Sequence, residues 1–184
     1  LVYDAHTPLT AFYQFIDHKH FVFLEGVSPH QHHGRYSYLA LNPQLELTCH
    51  EKSYIIRENN KETSHDGTVY DALEKLSEQF IYPESCPDYY SGIVGSISYE
   101  CLSHLETIPL PQKRSLNTPY AAFMVPKVML IFDKLYHTIT LSRSIFVNEE
   151  TSEETLETLY KEAQADIENY KKTLQNPKPI EPTF

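Results

Sequence analysis

Residues 35–57 read Arg35-Tyr-Ser-Tyr-Leu-Ala-Leu-Asn-Pro-Gln-Leu-Glu-Leu-Thr-Cys-His-Glu-Lys-Ser-Tyr-Ile-Ile-Arg57. The aromatic and apolar run Arg35–Leu41 reads as a strand, and Asn42-Pro43 is expected to end it. From Leu45 to His50 and from Lys52 to Arg57, apolar and polar residues partly alternate on either side of Glu51, the pattern of a β-hairpin. Strands joined as neighbouring hairpins, without regular βα alternation, point to an antiparallel sheet.

Working outward, His20-Phe-Val-Phe-Leu24 is a further strand, reached from a helix that starts at Thr7-Pro8. Threonine caps such a start and proline is pre-organised for the first helical position. Leu9, Phe12, Phe15 and Ile16 are expected to form that helix's buried face. Downstream, Asp66-Gly67 marks a turn. Thr68 with Asp71 resembles a capping arrangement for a short helix carrying Val69, Leu73, Leu76 and Phe80. Gly92-Ile-Val-Gly-Ser-Ile-Ser-Tyr99 reads as a strand whose glycines imply close backbone approach.

A second hairpin is expected from Val128–Phe132 and Leu135–Leu141 around Asp133-Lys134. Thr151 with Glu154 forms a capping box for a closing helix. Its buried face would carry Leu156, Leu159, Ala163, Ile167, Tyr170 and Leu174 over about five turns. The expectation is an α+β fold, antiparallel sheet(s) of hairpins covered by helices. Its bounds are one domain over residues 1–175 and a proline-rich extended linker over 176–184.

The composition excludes several classes. With 41% hydrophobic and 22% charged residues among 184, the chain is globular and long enough to bury roughly 70% of its extended surface. Fifteen Lys+Arg against 25 Asp+Glu give a net charge of -10, with no basic stripe for nucleic acid or an anionic membrane. No apolar run reaches the ~18–20 residues of a membrane span, and no signal peptide is visible at the start. Cys49, Cys86 and Cys101 form no CxxC pair and are odd in number, so they read as reduced thiols of a cytoplasmic protein. A start without Met and a proline-rich end read as the edges of something longer.

The chemistry-bearing candidates are few. His30, His32 and His33 have metal-ligand spacing but lack further ligands, and they read as a solvated loop. Gly92 and Gly95 form neither a G-x-G-x-x-G nor a P-loop. No G-x-S-x-G elbow exists. Glu149-Glu150 and Glu153-Glu154 sit at a helix start, where the macrodipole favours anions. No catalytic residue and no metal ligand is assigned.

One constellation is more specific. Phe23-Leu24-Glu25-Gly26-Val27, followed by Gly34-Arg35-Tyr36-Ser37-Tyr38-Leu39, resembles the "LLES…GRYSFIG" signature of anthranilate synthase component I, with the spacing matched. His33 stands where that family often has an aromatic. Gly92-Ile-Val-Gly-Ser-Ile-Ser-Tyr99-Glu100 with Leu105-Glu106 and Pro109 is similar to its "GG-V-GY-GYD…E-LP" segment. Val128-Met-Leu-Ile-Phe132-Asp133, then His137 and Leu141, is similar to its "VFDH…H-L-L" hairpin. With Thr7-Pro8-Leu9-Thr10 these make four ordered blocks.

The resemblance covers the family's amino-terminal domain. It implies a parent enzyme that converts chorismate and ammonia to anthranilate and pyruvate in tryptophan biosynthesis. Chorismate and Mg²⁺ would bind a carboxy-terminal domain beyond Phe184, and a glutamine amidotransferase subunit would supply ammonia. This part would be a non-catalytic, regulatory and partner-docking domain. It would hold a tryptophan-type effector half-site at Leu24, Glu25, Gly26, Tyr36 and Ser37, with the sheet left apolar where the missing domain packs. Read only as paired strands, the same segments put Tyr36 and Tyr38 on opposite faces.

Gly26 replaces the family's effector-binding Ser. The loss of one hydrogen bond, ~0.5–1.5 kcal/mol, implies weak or absent tryptophan inhibition. The same departure leaves open the related aminodeoxychorismate synthase component I. A stand-alone small-molecule binding module is the reading from another class.

Overall fold

The structure, a computed structural model, describes residues 6–27, 34–81, 83–87, 90–110 and 118–179. The expected histidine loop at 30–33 lies outside the described residues. The chain divides into two compact units, one of residues 1–42 with 126–184, the other of residues 43–125. Strand pairing is antiparallel and helices accompany it, as an α+β fold requires.

In the first unit, helix α1 (Pro8–Gln14) opens with the expected cap. The Thr10 N–H donates to Thr7 Oγ1 at 3.1 Å and the Thr7 N–H donates to Thr10 Oγ1 at 2.8 Å. The helix is shorter than its pattern suggested, and the buried positions are Pro8, Ala11 and Phe15, while Leu9 and Ile16 stay exposed. Strand β1 (Phe21–Leu24) pairs with the first part of strand β2 (Tyr36–Cys49), Leu24 opposite Tyr38.

The second part of strand β6 (Ala121–Asp133) turns through residues 134–137 into strand β7 (Thr138–Arg143). Helix α3 (Glu153–Gln175) closes the unit. Leu39 and Leu41 from β2 and Val128, Leu130 and Phe132 from β6 project at the strand period of two. They meet Ala11, Phe15, Ile139 and Leu174 in one core cluster.

Two expectations for α3 are corrected. Its cap is Ser152, whose Oγ accepts the Thr155 N–H at 3.2 Å, because Thr151 is engaged by Asn148 through both backbone and side chain. Only the later part of the apolar stripe is covered: Ala163 and Leu174 are buried, whereas Leu156 is 47% exposed.

In the second unit, the later part of β2 pairs with strand β3 (Ser53–Glu58), Cys49 opposite Tyr54, as the hairpin pattern predicts. The sequence reading missed strand β4 (Lys61–Asp66), which pairs with β3 through a two-residue turn. Both turn residues, Asn59 and Asn60, have positive φ, 49° and 61°, the geometry of a tight I′-type hairpin. Helix α2 (Val69–Gln79) carries the Thr68–Asp71 capping box. Strand β5 (Val94–Ile97) pairs with β6, Gly95 opposite Phe123, and a Cβ at Gly95 would fall onto the Ala122 carbonyl. That is the close approach expected there. A 3-10 turn over Tyr99–His104 follows.

β2 and β6 each have a part in both units, and they are neighbours in the strand order β4-β3-β2-β6-β5. In one unit the Lys134 N–H donates to Arg35 O at 3.0 Å; in the other the Tyr120 N–H donates to Cys49 O at 2.8 Å. The expected stop at Asn42-Pro43 is corrected, because β2 continues to Cys49. Asn42 absorbs the disturbance in the left-handed region, at φ 54°, which asparagine tolerates better than most residues. Its side chain is held by His18 Nδ1 at 2.9 Å and by donation to the Tyr170 hydroxyl at 2.7 Å. Likewise β6 starts at Ala121, ahead of Pro126, since a proline removes one ladder donor without breaking extended backbone.

Candidate functional site

The expected half-site lies in the first unit, where β1 ends and β2 begins. Phe23 turns inward against the core and stacks on Phe12, with ring centroids 5.2 Å apart. The strand alternation therefore sends Leu24 outward, 43% exposed, and Glu25 follows into solvent. Gly26 returns to β2, its N–H donating to Ser37 Oγ at 3.2 Å. The Ser37 side chain is fully buried, so its hydroxyl serves the backbone of Gly26.

Glycine is demanded at position 26 by space. A Cβ there would lie 2.6 Å from Tyr36 O and 2.7 Å from both Gly34 Cα and Gly34 O. These neighbours are backbone and cannot swing aside.

A second group of residues closes over the strand ends from the β6–β7 turn. Arg35 donates from Nε to Asp133 Oδ1 at 3.0 Å and from Nη2 to Oδ2 at 2.5 Å. Its guanidinium carbon lies 4.8 Å from the ring centroids of both Tyr36 and Tyr136, within cation–π range. Asp133 Oδ1 also accepts the N–H groups of Leu135 at 2.9 Å and Tyr136 at 3.2 Å, which fixes the turn. The Arg35 hydrogen bonds hold the Asp133 carboxyl below the ordinary carboxylate range, with the turn amides adding to the effect against the cost of burial. Lys134 Nζ donates to the Gly26 carbonyl.

The structure thus brings Gly26, Tyr36 and Ser37 together and leaves Leu24 and Glu25 at the rim. Tyr36 and Tyr38 share a face, with ring centroids 6.2 Å apart, so the expectation of opposite faces is corrected. Residues two apart on a strand must point the same way. The sequence reading did not assign Arg35, Asp133, Lys134 or Tyr136 to the site. The visible signal was the hairpin turn at Asp133-Lys134, but nothing local says that Arg35 waits 98 positions away.

Chemically, the strand end presents a carboxylate, a backbone carbonyl, two tyrosine rings and a lysine ammonium. Such a set suits a small aromatic molecule bearing an ammonium, provided that a second wall is present. Among the described residues, no group of three or more His, Cys, Asp or Glu side chains is placed to hold a metal ion.

Comparison with known proteins agrees with this architecture. The family described as chorismate binding enzyme matches residues 19–183. The chain is 26% identical over 148 residues to anthranilate synthase component 1 of Acetivibrio thermocellus, covering 79% of this chain and 30% of that protein. It is 25% identical over 176 residues to the probable anthranilate synthase component 1 of Schizosaccharomyces pombe, covering 95% and 33% respectively. The crystal structure of anthranilate synthase component I from Streptococcus pneumoniae shares the fold. Its TM-score is 0.53 at 23% identity, over 97% of this chain and 37% of that one. The chain spans about a third of the length of these relatives.

Proposed function

The chain belongs to the chorismate-binding enzyme family, and on that premise we propose that it is the amino-terminal, regulatory and partner-docking part of an anthranilate-synthase-like enzyme. The observation that carries this reading is the lopsided coverage. Nearly the whole chain aligns with relatives named anthranilate synthase component 1, while two-thirds of each relative lies outside the match. The parent reaction is the addition of ammonia to chorismate with loss of pyruvate, giving anthranilate.

The catalytic centre and its Mg²⁺ are assigned to the remaining two-thirds of the parent enzyme. The proposed partners are that catalytic part and a glutamine amidotransferase subunit. Ile97, Tyr99, Leu102 and Leu105 of the second unit, 41–68% exposed, provide apolar surface for docking. No helix among the described residues is long and apolar enough to cross a membrane. The cytoplasm is the proposed location, supported by three free thiols.

At the strand end, Leu24, Glu25, Gly26 and Tyr36 form the effector half-site, and Ser37 acts on it through the Gly26 backbone. Incubation of the chain with chorismate, Mg²⁺ and ammonia should give no product; turnover by the chain alone would overturn the reading. Gly26, which lacks the side-chain hydroxyl, leaves open a second reading as the same part of aminodeoxychorismate synthase component I. The product made by the full-length enzyme, anthranilate or aminodeoxychorismate, separates the two.

A further inference from the structure

We propose that Lys134 is a built-in competitor at the strand-end site. Its ammonium holds the Gly26 carbonyl that the α-ammonium of a free aromatic amino acid would otherwise take. The inference rests on the effector half-site reading above.

Lys134 leaves the β6–β7 turn from a fixed root. Its own N–H is bound to Arg35 O at 3.0 Å, and Asp133 ties down the next two amides. From there its Nζ reaches Gly26 O, 108 positions away in sequence. The neighbouring carboxylate, Asp133, is committed to Arg35 with both oxygens, so the lysine charge is answered by a neutral carbonyl. Among the described residues no carboxylate pairs with Lys134. An ammonium held by a carbonyl alone is readily exchanged for a ligand that brings the same group and a ring besides.

The geometry around Gly26 makes this carbonyl the available handle. Its N–H is already taken by Ser37, and no side chain fits at that position. A ligand ammonium placed on Gly26 O would lie next in sequence to the exposed Glu25, and the half-site reading gives its ring the paired Tyr36 and Tyr38. The ligand class is therefore a primary ammonium on an aromatic side chain. An occupancy of about nine-tenths by Lys134 would lower apparent affinity about tenfold, because only the unoccupied fraction binds.

The test follows the resonances of Glu25 and Gly26 in the isotope-labelled full-length enzyme, whose remaining part supplies the second wall, during titration with L-tryptophan, methylammonium or indole-3-propionate. Lys134→Met removes the charge and keeps the stem; Lys134→Gln, with a neutral donor, is read instead should the first variant lose the native spectrum. The expected result is tryptophan binding about tenfold tighter in the variant than in the parent enzyme. Methylammonium should shift Glu25 and Gly26 at about tenfold lower concentration in the variant than in the parent, and indole-3-propionate, which lacks the ammonium, should bind both alike. Methylammonium without tryptophan binding in the variant upholds the competition and overturns the effector reading alone. Equal binding in parent and variant, or no response to either ammonium probe in the variant, overturns the proposal.

Discussion

Arg35 and Asp133 stand 98 positions apart in sequence and meet in a two-pronged ion pair that closes the β6–β7 turn over the start of β2. The pair does two jobs at once: Asp133 also accepts two turn amides, and Arg35 spreads between two tyrosine rings. Asp133→Ala should lower unfolding free energy by about 1.5–3 kcal/mol, the range for hydrogen bonds to a charged group. Urea denaturation of both proteins at pH 7 measures it. Arg35→Lys should weaken the turn as well, since lysine can neither fork onto the carboxylate nor stack between the rings.

The same carboxylate sets a pH dependence. Its folded pKa lies below the ordinary value, so its contribution is complete above about pH 4 and is lost as the pH falls through the depressed value. Between pH 6 and pH 2.5 the parent chain should lose more stability than Asp133→Asn. Parallel urea curves that fall equally would show that the pair contributes nothing.

A serine at position 26 should not simply restore a missing hydroxyl. Its Cβ would press on the backbone of Tyr36 and Gly34, so Gly26→Ser should cost about 1–3 kcal/mol, as overpacking does. Thermal unfolding reports the loss. An unchanged Tm would mean that β1 and β2 part there without penalty.

Asp166 on α3 binds Arg143 Nε at 2.9 Å and Lys127 Nζ at 3.1 Å, tying the helix to β7 and β6. Burial alone would raise its pKa, but the two cations outweigh that and hold it below the usual range. Asp166→Asn should cost about 1–3 kcal/mol, less than for a fully buried pair because the carboxylate is partly exposed. A double-mutant cycle with Arg143→Met isolates the coupling.

The three thiols should differ in reactivity. Cys49 and Cys101 are buried, and burial, aided by Cys101, pushes the Cys49 thiol up to about 11. Iodoacetamide at pH 7.5 should label Cys86 alone in the native chain, because the thiolate is the reactive form. Mass spectrometry of the peptides gives the answer directly.

The sequence showed its local devices well and its long-range meetings poorly. Thr7, Thr68 and the hairpin around Asp133-Lys134 were legible because capping and turn chemistry are written within four residues. β4 was missed because Lys61–Asp66 is polar on both faces, although Asn59-Asn60 carried the turn signal. The expected break at Asn42-Pro43 located a real disturbance and misjudged its outcome: Asn42 turns left-handed and Tyr170 and His18 hold it, which is tertiary information. At the site, Leu24 to Gly26 and Tyr36 to Ser37 were found through a resemblance, while Lys134 and Arg35 came into view only when folding placed them.

Both strands that serve the two units change from one to the other beside a proline, Pro43 in β2 and Pro126 in β6. A proline nitrogen carries no proton, so each crossing is a rung missing from the start. Unzipping that begins on one side finds no donor to break at that point, and the two halves of a strand can open on separate clocks. Amide exchange at Leu39 and Leu41 should then keep a different rate from that at Leu45 and Leu47. A strand continuous in its trace would breathe as two.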